Sequence, residues 1–245
     1  MNNETVGICA EIAIADTFGV PVSLDYRSRA EEPIVDSIRD IVFDVFEKCD
    51  IPTPIEHIAE NQSPIDFILE NGETLSVKSN QKRLGKVAPQ IIGQPTSSTY
   101  FQFIYRRFGY NVNAELINRG MRDTYENRVY LFKEFSINNI CEMLSVYWQH
   151  IFECDHYVHF YDVLDRDGYI SYNPKCIILR NLPSNPFWDI DYISFTQTLR
   201  TWNESNVLKY YDISIGEFQA HNNRDCLKFR FNLKGILELL QNNLI

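Results

Sequence analysis

The chain contains no Cys-x-x-Cys pair, no glycine-rich phosphate loop, no Gly-x-Gly-x-x-Gly and no Gly-x-Ser-x-Gly. Their absence takes support from zinc ribbons, ATP-driven work, hydride transfer and serine hydrolysis, whose chemistry needs those residues at those spacings. No apolar run approaches the roughly 18 residues of a membrane span. Met1-Asn2-Asn3-Glu4 lacks the basic and apolar segments of a signal peptide. The expected protein is cytoplasmic, with no membrane partner. Basic residues are also scarce: 23 Lys and Arg stand against 33 Asp and Glu, a formal net charge of −10. Phosphate binding rests on clustered Lys and Arg, so bulk charge excludes a protein that coats nucleic acid, and any such contact must gather its cations locally.

What is present is an ordinary globular composition, 245 residues of which 44% are apolar, enough to bury a sizeable core. Cysteines stand singly at 9, 49, 141, 154, 176 and 226 in apolar or mixed surroundings, which reads as reduced, mostly buried thiols. Residues 5–19 read as a helix capped by Thr5 and stopped by Gly19 and Pro21, apolar nearly all round and hence buried. A second helix from about Pro33 places Ile34, Ile38, Ile41, Val42 and Val45 on one face and Asp36, Arg39, Asp40, Asp44 and Glu47 toward water. The stretch Thr53-Pro54-Ile55-Glu56 reads as a turn. The middle third is mainly helical, with an aromatic helix around Tyr100 to Phe108 and another starting at Ser136 as N-cap. Strands are expected at 157–164, 177–180, 190–195, 213–218 and 227–231. The class is α/β (α+β), in one domain or two intimately packed lobes.

The most informative stretch is a hairpin, 66–69 and 74–79, joined through Glu70-Asn71-Gly72. A two-residue Asn71-Gly72 turn would pair Asp66 with Val77 and put Asp66 on the face opposite Lys78. A three-residue loop with Gly72 in the left-handed conformation pairs Asp66 with Ser76 instead, diagonal to Lys78. The second register also gathers Phe67, Leu69, Leu75 and Val77 on the other face as core, so burial favours it. One face then offers a carboxylate, a hydroxyl and an ammonium, with the Val77 carbonyl close by. A phosphodiester cutter needs such groups, because a carboxylate holds a divalent cation, the cation neutralises the phosphate and acidifies a bound water, and a lysine helps orient or deprotonate that water. The plain alternative is a surface salt bridge.

Ser63-Pro64-Ile65-Asp66 followed by Ser76-Val77-Lys78 resembles the motif of the PD-(D/E)XK nuclease superfamily, to which most type II restriction endonucleases belong. Ile65 separates Pro64 from Asp66, and Ser76 stands where the family usually has Asp or Glu. The resemblance implies a restriction-endonuclease-like mixed central sheet flanked by helices, with Asp66, Ser76 and Lys78 in catalytic positions and magnesium (Mg2+) as cofactor. It implies a metal site made by Asp66 and the Val77 carbonyl that borrows a second acid from elsewhere. Glu11 is the candidate for both the catalytic and the metal set, because its helical neighbours Gly7, Ile8, Ile14 and Ala15 form a surface on which an unpaired carboxylate is costly. Glu60 and Glu73 are alternatives, and Asp16 reads as a helix-end or surface residue. The resemblance also implies double-stranded DNA as substrate, products with 5′-phosphate and 3′-hydroxyl ends and a cognate DNA methyltransferase, and leaves open a homodimer, which palindromic sites favour, or a monomer, which also occurs among such enzymes. On this reading 1–245 is one endonuclease domain, with a catalytic segment over about 5–110, a helical middle over about 111–155 and a strand-rich DNA-recognition part over about 156–245.

Two further stretches resemble DNA-binding parts of the same enzymes. Lys82, Arg83 and Lys86 form a basic patch in an acidic chain, with Gln90 and Gln94 as donors to phosphates or bases; a solvated loop is the alternative. In 214–231, Leu227, Phe229 and Phe231 alternate with Lys228 and Arg230, leaving one face core and the other basic. A ribbon of this width enters the major groove. Arg224 suits guanine, Asn222 or Asn223 adenine, and Gln219 a base edge or phosphate, with His221 in the same polar loop. An exposed hairpin tip is the alternative. His150, Cys154, His156 and His159 match no zinc-finger spacing, and Asp162, Asp165 and Asp167 read as an acidic turn. Two other functions stay open: a nuclease of junctions or damaged DNA, and a non-catalytic binding protein in which Asp66 and Lys78 form a salt bridge.

Overall fold

The computed structural model describes residues 3–59, 64–89 and 95–245. In chain order its elements are α1 (Asn3–Phe18), α2 (Leu24–Arg27), α3 (Glu32–Lys48), β1 (Pro54–His57), β2 (Phe67–Leu69), β3 (Thr74–Ser79), β4 (Lys86–Val87), α4 (Ser97–Phe108), α5 (Val112–Asn118), α6 (Tyr125–Asn138), α7 (Ile140–Phe152), β5 (His156–Tyr161), β6 (Lys175–Arg180), β7 (Ile193–Phe195), β8 (Ser205–Tyr210), β9 (Ile213–Ala220), β10 (Leu227–Asn232) and α8 (Leu233–Gln241). The chain divides into two compact units, Met1–Gly85 with Ile151–Ser184, and Lys86–His150 with Asn185–Ile245. Both units draw on early and late parts of the sequence.

The first unit is a mixed sheet of order β1-β2-β3-β5-β6, in which β3 and β5 run parallel and the other neighbours antiparallel. Helix α1 is the inner layer because it is apolar nearly all round, with Val6, Ile8, Cys9, Ala10, Ile12, Ala13, Ile14 and Ala15 buried. Its sequence has no polar stripe to turn outward. Helix α3 packs on it through Ile34, Val35, Ile38, Val42 and Phe46, and its Pro33 sits in the first turn, where a missing N–H costs nothing. Phe67, Leu69, Leu75, Val77, Val158 and Phe160 close this core from the sheet side. Each such side chain contributes roughly 1.5–3 kcal/mol when removed from water.

The β2–β3 register is the one burial demands, with Phe67 opposite Leu75 and Ile68 opposite Thr74. The Leu69 N–H donates to Glu73 O at 2.8 Å and the Gly72 N–H to Leu69 O at 2.9 Å, enclosing a three-residue loop with Gly72 at φ +85°. A side chain at that φ is strained, so Gly72 fixes the register and with it the face on which Asp66 lies.

The second unit packs α4, α5, α6 and most of α7 with an antiparallel sheet of order β4-β10-β9-β8-β7. Its core is aromatic: Phe218 and Phe229 lie 4.6 Å apart between ring centroids, Tyr147 stacks on Phe229 at 4.6 Å, and Tyr100 meets Phe132 edge-on at 5.0 Å. The two buried tyrosines satisfy each other, their hydroxyls 3.0 Å apart. Helix α8 comes so close to β9 that a Cβ on Gly235 would stand 2.0 Å from Ser214 O. Because the obstacle is backbone, Gly235→Ala is expected to lower stability by roughly 1–3 kcal/mol, read as a drop in the thermal midpoint; an unchanged midpoint would refute the close packing.

Several local expectations are corrected. Thr5 lies inside the first turn of α1, which already runs from Asn3. Ser136 is a buried residue within α6, not an N-cap, and α7 begins at Ile140. Pro54–His57 is the edge strand β1 and not a turn, since Pro at a strand's first position needs no ladder N–H. Ile190–Tyr192 is a single 3₁₀ turn, with strand only from Ile193. Strand β5 stops at Tyr161, short of the expected Leu164. Strand β8 and helix α8 add to the expected elements. All six cysteines are free, but only Cys9 and Cys226 are fully buried, the other four being half-buried.

Candidate active site

The face of the first unit's sheet opposite α1 carries the polar cluster. Asp66 is held just before β2 by its N–H, which donates to Leu75 O at 2.9 Å. Its Oδ2 accepts from the Val77 N–H at 2.6 Å and from Lys78 Nζ at 3.0 Å. Lys78 spends its remaining donors on Ser76 Oγ at 2.8 Å and the Val77 carbonyl at 3.0 Å. The Ser76 hydroxyl gives its one proton to Pro64 O at 2.7 Å and so presents a lone pair to the ammonium. The Lys78 side chain is 12% exposed and the Asp66 side chain 3%. Such a pair sits in a low-dielectric setting where losing one partner costs about 3–5 kcal/mol, far more than a surface bridge. No described residue donates a hydrogen bond to Asp66 Oδ1.

Parallel pairing brings β5 onto the same face, with Ser76 opposite Tyr157 and Lys78 opposite His159. His159 is fully buried, its Nδ1 2.9 Å from the Tyr157 hydroxyl and its Nε2 2.9 Å from Asn80 Oδ1. An Nε2–H tautomer satisfies both contacts: it donates to Asn80 and accepts from Tyr157. Burial, with the Lys78 charge beside it, holds His159 down at about 3, so it stays neutral. Unfolded, the ring takes a proton below about pH 6.5. Between about pH 6.5 and 3 the unfolded chain therefore binds a proton the folded one refuses, and stability falls on acidification by up to about 1.4 kcal/mol per pH unit from this group. Urea titrations between pH 7 and 4 should show a shallower slope in His159→Gln than in the parent; equal slopes would remove His159 as the cause.

Glu11 is buried on α1, as its surroundings require, but its hydrogen bonds go elsewhere. The Tyr26 hydroxyl donates to Glu11 Oε2 at 2.5 Å, and His57 Nε2 lies 3.0 Å from the same oxygen. Burial pushes the Glu11 carboxyl up and the His57 hydrogen bond opposes this, while Asp66 and Lys78 both act on it through space. Among the described residues no three of His, Cys, Asp and Glu gather closely enough to hold a metal ion. The structure thus joins Asp66, Ser76, Val77 and Lys78 in one hydrogen-bonded cluster and leaves Glu11 outside it, within range of their charges. Glu73 faces His156 Nε2 at 2.6 Å, and Asp16 is paired with Arg27 and Arg39. Glu60 and Ser63 lie outside the described residues.

Sequence reasoning missed Tyr26, His57, Asn80, Tyr157 and His159. A signal existed for two of them: Tyr157 and His159 are two apart in an expected strand and so share a face. Nothing local announces that β5 pairs with β3.

The basic candidates divide between the units. In the first, Lys82 Nζ donates to Arg166 O at 2.9 Å, and Arg83 is exposed. In the second, Lys86 and Arg230 are both bound to the buried carboxylate of Glu217, which qualifies the expected basic face of the ribbon. Arg230 also donates to Gln219 Oε1 at 3.2 Å. The loop tip is tied down: the Tyr125 hydroxyl donates to His221 O at 2.8 Å, the Asn222 N–H to Glu204 Oε1 at 2.9 Å, and Asp225 caps the Ser97 N–H at 2.6 Å. Asn223 and Arg224 are exposed, with Arg224 Nη2 3.2 Å from His221 Nε2. Gln90 and Gln94 lie outside the described residues.

Among curated proteins, the chain is 28% identical over 242 residues to the Type II restriction enzyme CviAII of Paramecium bursaria Chlorella virus 1. The chain is a distant relative of that viral enzyme. The alignment takes in 98% of this chain and 61% of the relative, so the chain spans less than two thirds of the relative's length. No family model matches the chain, and no solved structure does. Among the described residues no helix is long and apolar enough to cross a membrane.

Proposed function

We propose that this chain is a DNA endonuclease of the type II restriction kind, hydrolysing phosphodiester bonds in double-stranded DNA with a divalent cation, magnesium by donor type. The observation that carries it is the Asp66–Ser76–Lys78 cluster, fixed on one face by an odd-length hairpin loop in a chain related along nearly its whole length to a restriction enzyme. The mixed sheet with α1 and α3 on one face suits a restriction-endonuclease-like core.

The residues fit the cation in kind. Asp66 Oδ1 is free of hydrogen bonds from described residues, the Val77 carbonyl is a second hard oxygen, and Glu11 is the acid nearest in electrostatic reach on α1. Bound there, magnesium would neutralise the scissile phosphate and acidify a water. Lys78 would exchange one of its three internal bonds either for one to the attacking water, orienting it for in-line attack, or for one to a phosphate oxygen, whose charge it would offset. Ser76 holds the ammonium in place where relatives of the motif carry an acid. Tyr26 and His57 fix the Glu11 carboxylate. The second unit supplies DNA contacts through Lys86, Gln219, His221, Asn222, Asn223, Arg224, Lys228 and Arg230, and the first through Lys82 and Arg83.

One observation favours a second reading, a structural ion pair: every Lys78 donor is already satisfied within the protein. Incubation with mixed plasmid DNA and magnesium separates the two. Discrete fragments are expected, with none in EDTA; intact DNA or an unbroken smear would sink the restriction reading.

A further inference from the structure

Lys228 is a charge without a partner among the described residues. It lies in the middle of β10, directly opposite Gln219 on β9, and only 7% of it is exposed. No described residue accepts a hydrogen bond from its ammonium or forms an ion pair with it, although two carboxylates stand in its own unit near the ribbon. Glu217 is taken by Lys86 and Arg230, and Asp225 by the Ser97 N–H. Its stem is buried, but the ammonium is not among the buried polar atoms left without a partner, so it keeps a path to water and an anion arriving from solvent can reach it. The surroundings favour that sign. Arg230 and Arg224 both act on Lys228 as like charges, and burial together with those two lowers its affinity for a proton. His221 is disfavoured as a cation by burial and then by Arg224 and Lys228, so the same cluster repels positive charge from both ends.

We propose that Lys228, with Arg224 and His221 at the rim and Arg230 behind, forms a seat for a single backbone phosphate of duplex DNA. The proposal deepens the DNA reading above and rests on it. It changes the role of Arg224 from reading guanine to closing on a phosphate. One phosphodiester carries one negative charge, which matches the one ammonium, and the exposure of Asn222, Asn223 and Arg224 leaves the rim open to a polymer. The tied loop tip keeps this geometry before binding, so little ordering is needed.

Lys228→Met gives a signature that a merely structural lysine cannot. Removing a partly desolvated ammonium that stands among like charges is expected to hold or raise the thermal midpoint, while binding of a short mixed-sequence duplex, followed by fluorescence anisotropy in EDTA, weakens. The slope of log affinity against log salt should become shallower by about 0.9, the value for one phosphate neutralised. Arg224→Ala should weaken binding uniformly across duplex sequences. Unchanged affinity and slope in Lys228→Met, a lowered midpoint, or no duplex binding by the parent overturns the seat. Inorganic phosphate raising the parent's midpoint but not the variant's, with duplex binding equal in both, assigns the seat to free phosphate and overturns the DNA role. Because binding is read without metal, failure to cut with magnesium is a separate result and bears only on the nuclease reading.

Discussion

Asp66→Asn is expected to abolish DNA cleavage, lowering the rate by roughly a hundred- to a thousand-fold or more, with the protein still folded. The asparagine oxygen can keep the bond from the Val77 N–H, which at 2.6 Å anchors the start of β2 to β3. What it removes is the negative charge that faces Lys78 and, on the proposed reading, the cation. Both variants take the counter-charge from Lys78, but Asp66→Ala is the poorer test, because it also leaves the buried Val77 N–H without an acceptor, a further cost of about 1–3 kcal/mol. Cleavage assays on plasmid DNA, with a thermal melt of the same preparation, check both parts. Undiminished cutting by Asp66→Asn would remove the proposed site outright.

Lys78→Met should lower the cleavage rate by about a hundred-fold or more, the usual worth of a preorganised donor that acts on the reacting groups. It should also destabilise, since Asp66, with its side chain 3% exposed, then keeps a buried charge and no cation. The double variant Asp66→Asn, Lys78→Met removes both charges at once and should recover most of that stability. The two readings of the pair part here. A structural ion pair predicts that activity, if any, returns with stability; a catalytic pair predicts a stable protein that does not cut. Denaturant melts and cleavage assays on the four proteins of the cycle decide between them.

Much of the hairpin was legible because strand parity is rigid. With a period of two, the demand that Phe67, Leu69, Leu75 and Val77 share the core leaves one register, and that register needs a loop of odd length ending in a left-handed glycine. The burial of α1 was legible for the same kind of reason: a helix apolar on every side has nowhere else to go. Burial of Glu11 followed from its neighbours, yet its partners did not. Tyr26 comes from α2, and His57 from a strand whose Thr-Pro opening reads locally as a turn. The ribbon's alternation was legible in β10, but the pairing of Lys86 and Arg230 with Glu217 was hidden, because it depends on β4 and β9 lying on either side of β10.

By itself the sequence determined the register of β2 and β3, the shared face of Asp66, Ser76 and Lys78, and the depth of α1, since each follows from periodicity and the cost of exposing apolar surface. Tertiary structure alone decided that β5 lies parallel to β3 and sets neutral His159 beside Lys78. It alone decided that Glu11 answers to Tyr26 and His57, and that Glu217 takes Lys86 and Arg230 while no described carboxylate forms an ion pair with Lys228. The reason is physical: local pattern fixes which way a side chain points, but a charge's partner is chosen by whatever distant strand burial brings against it.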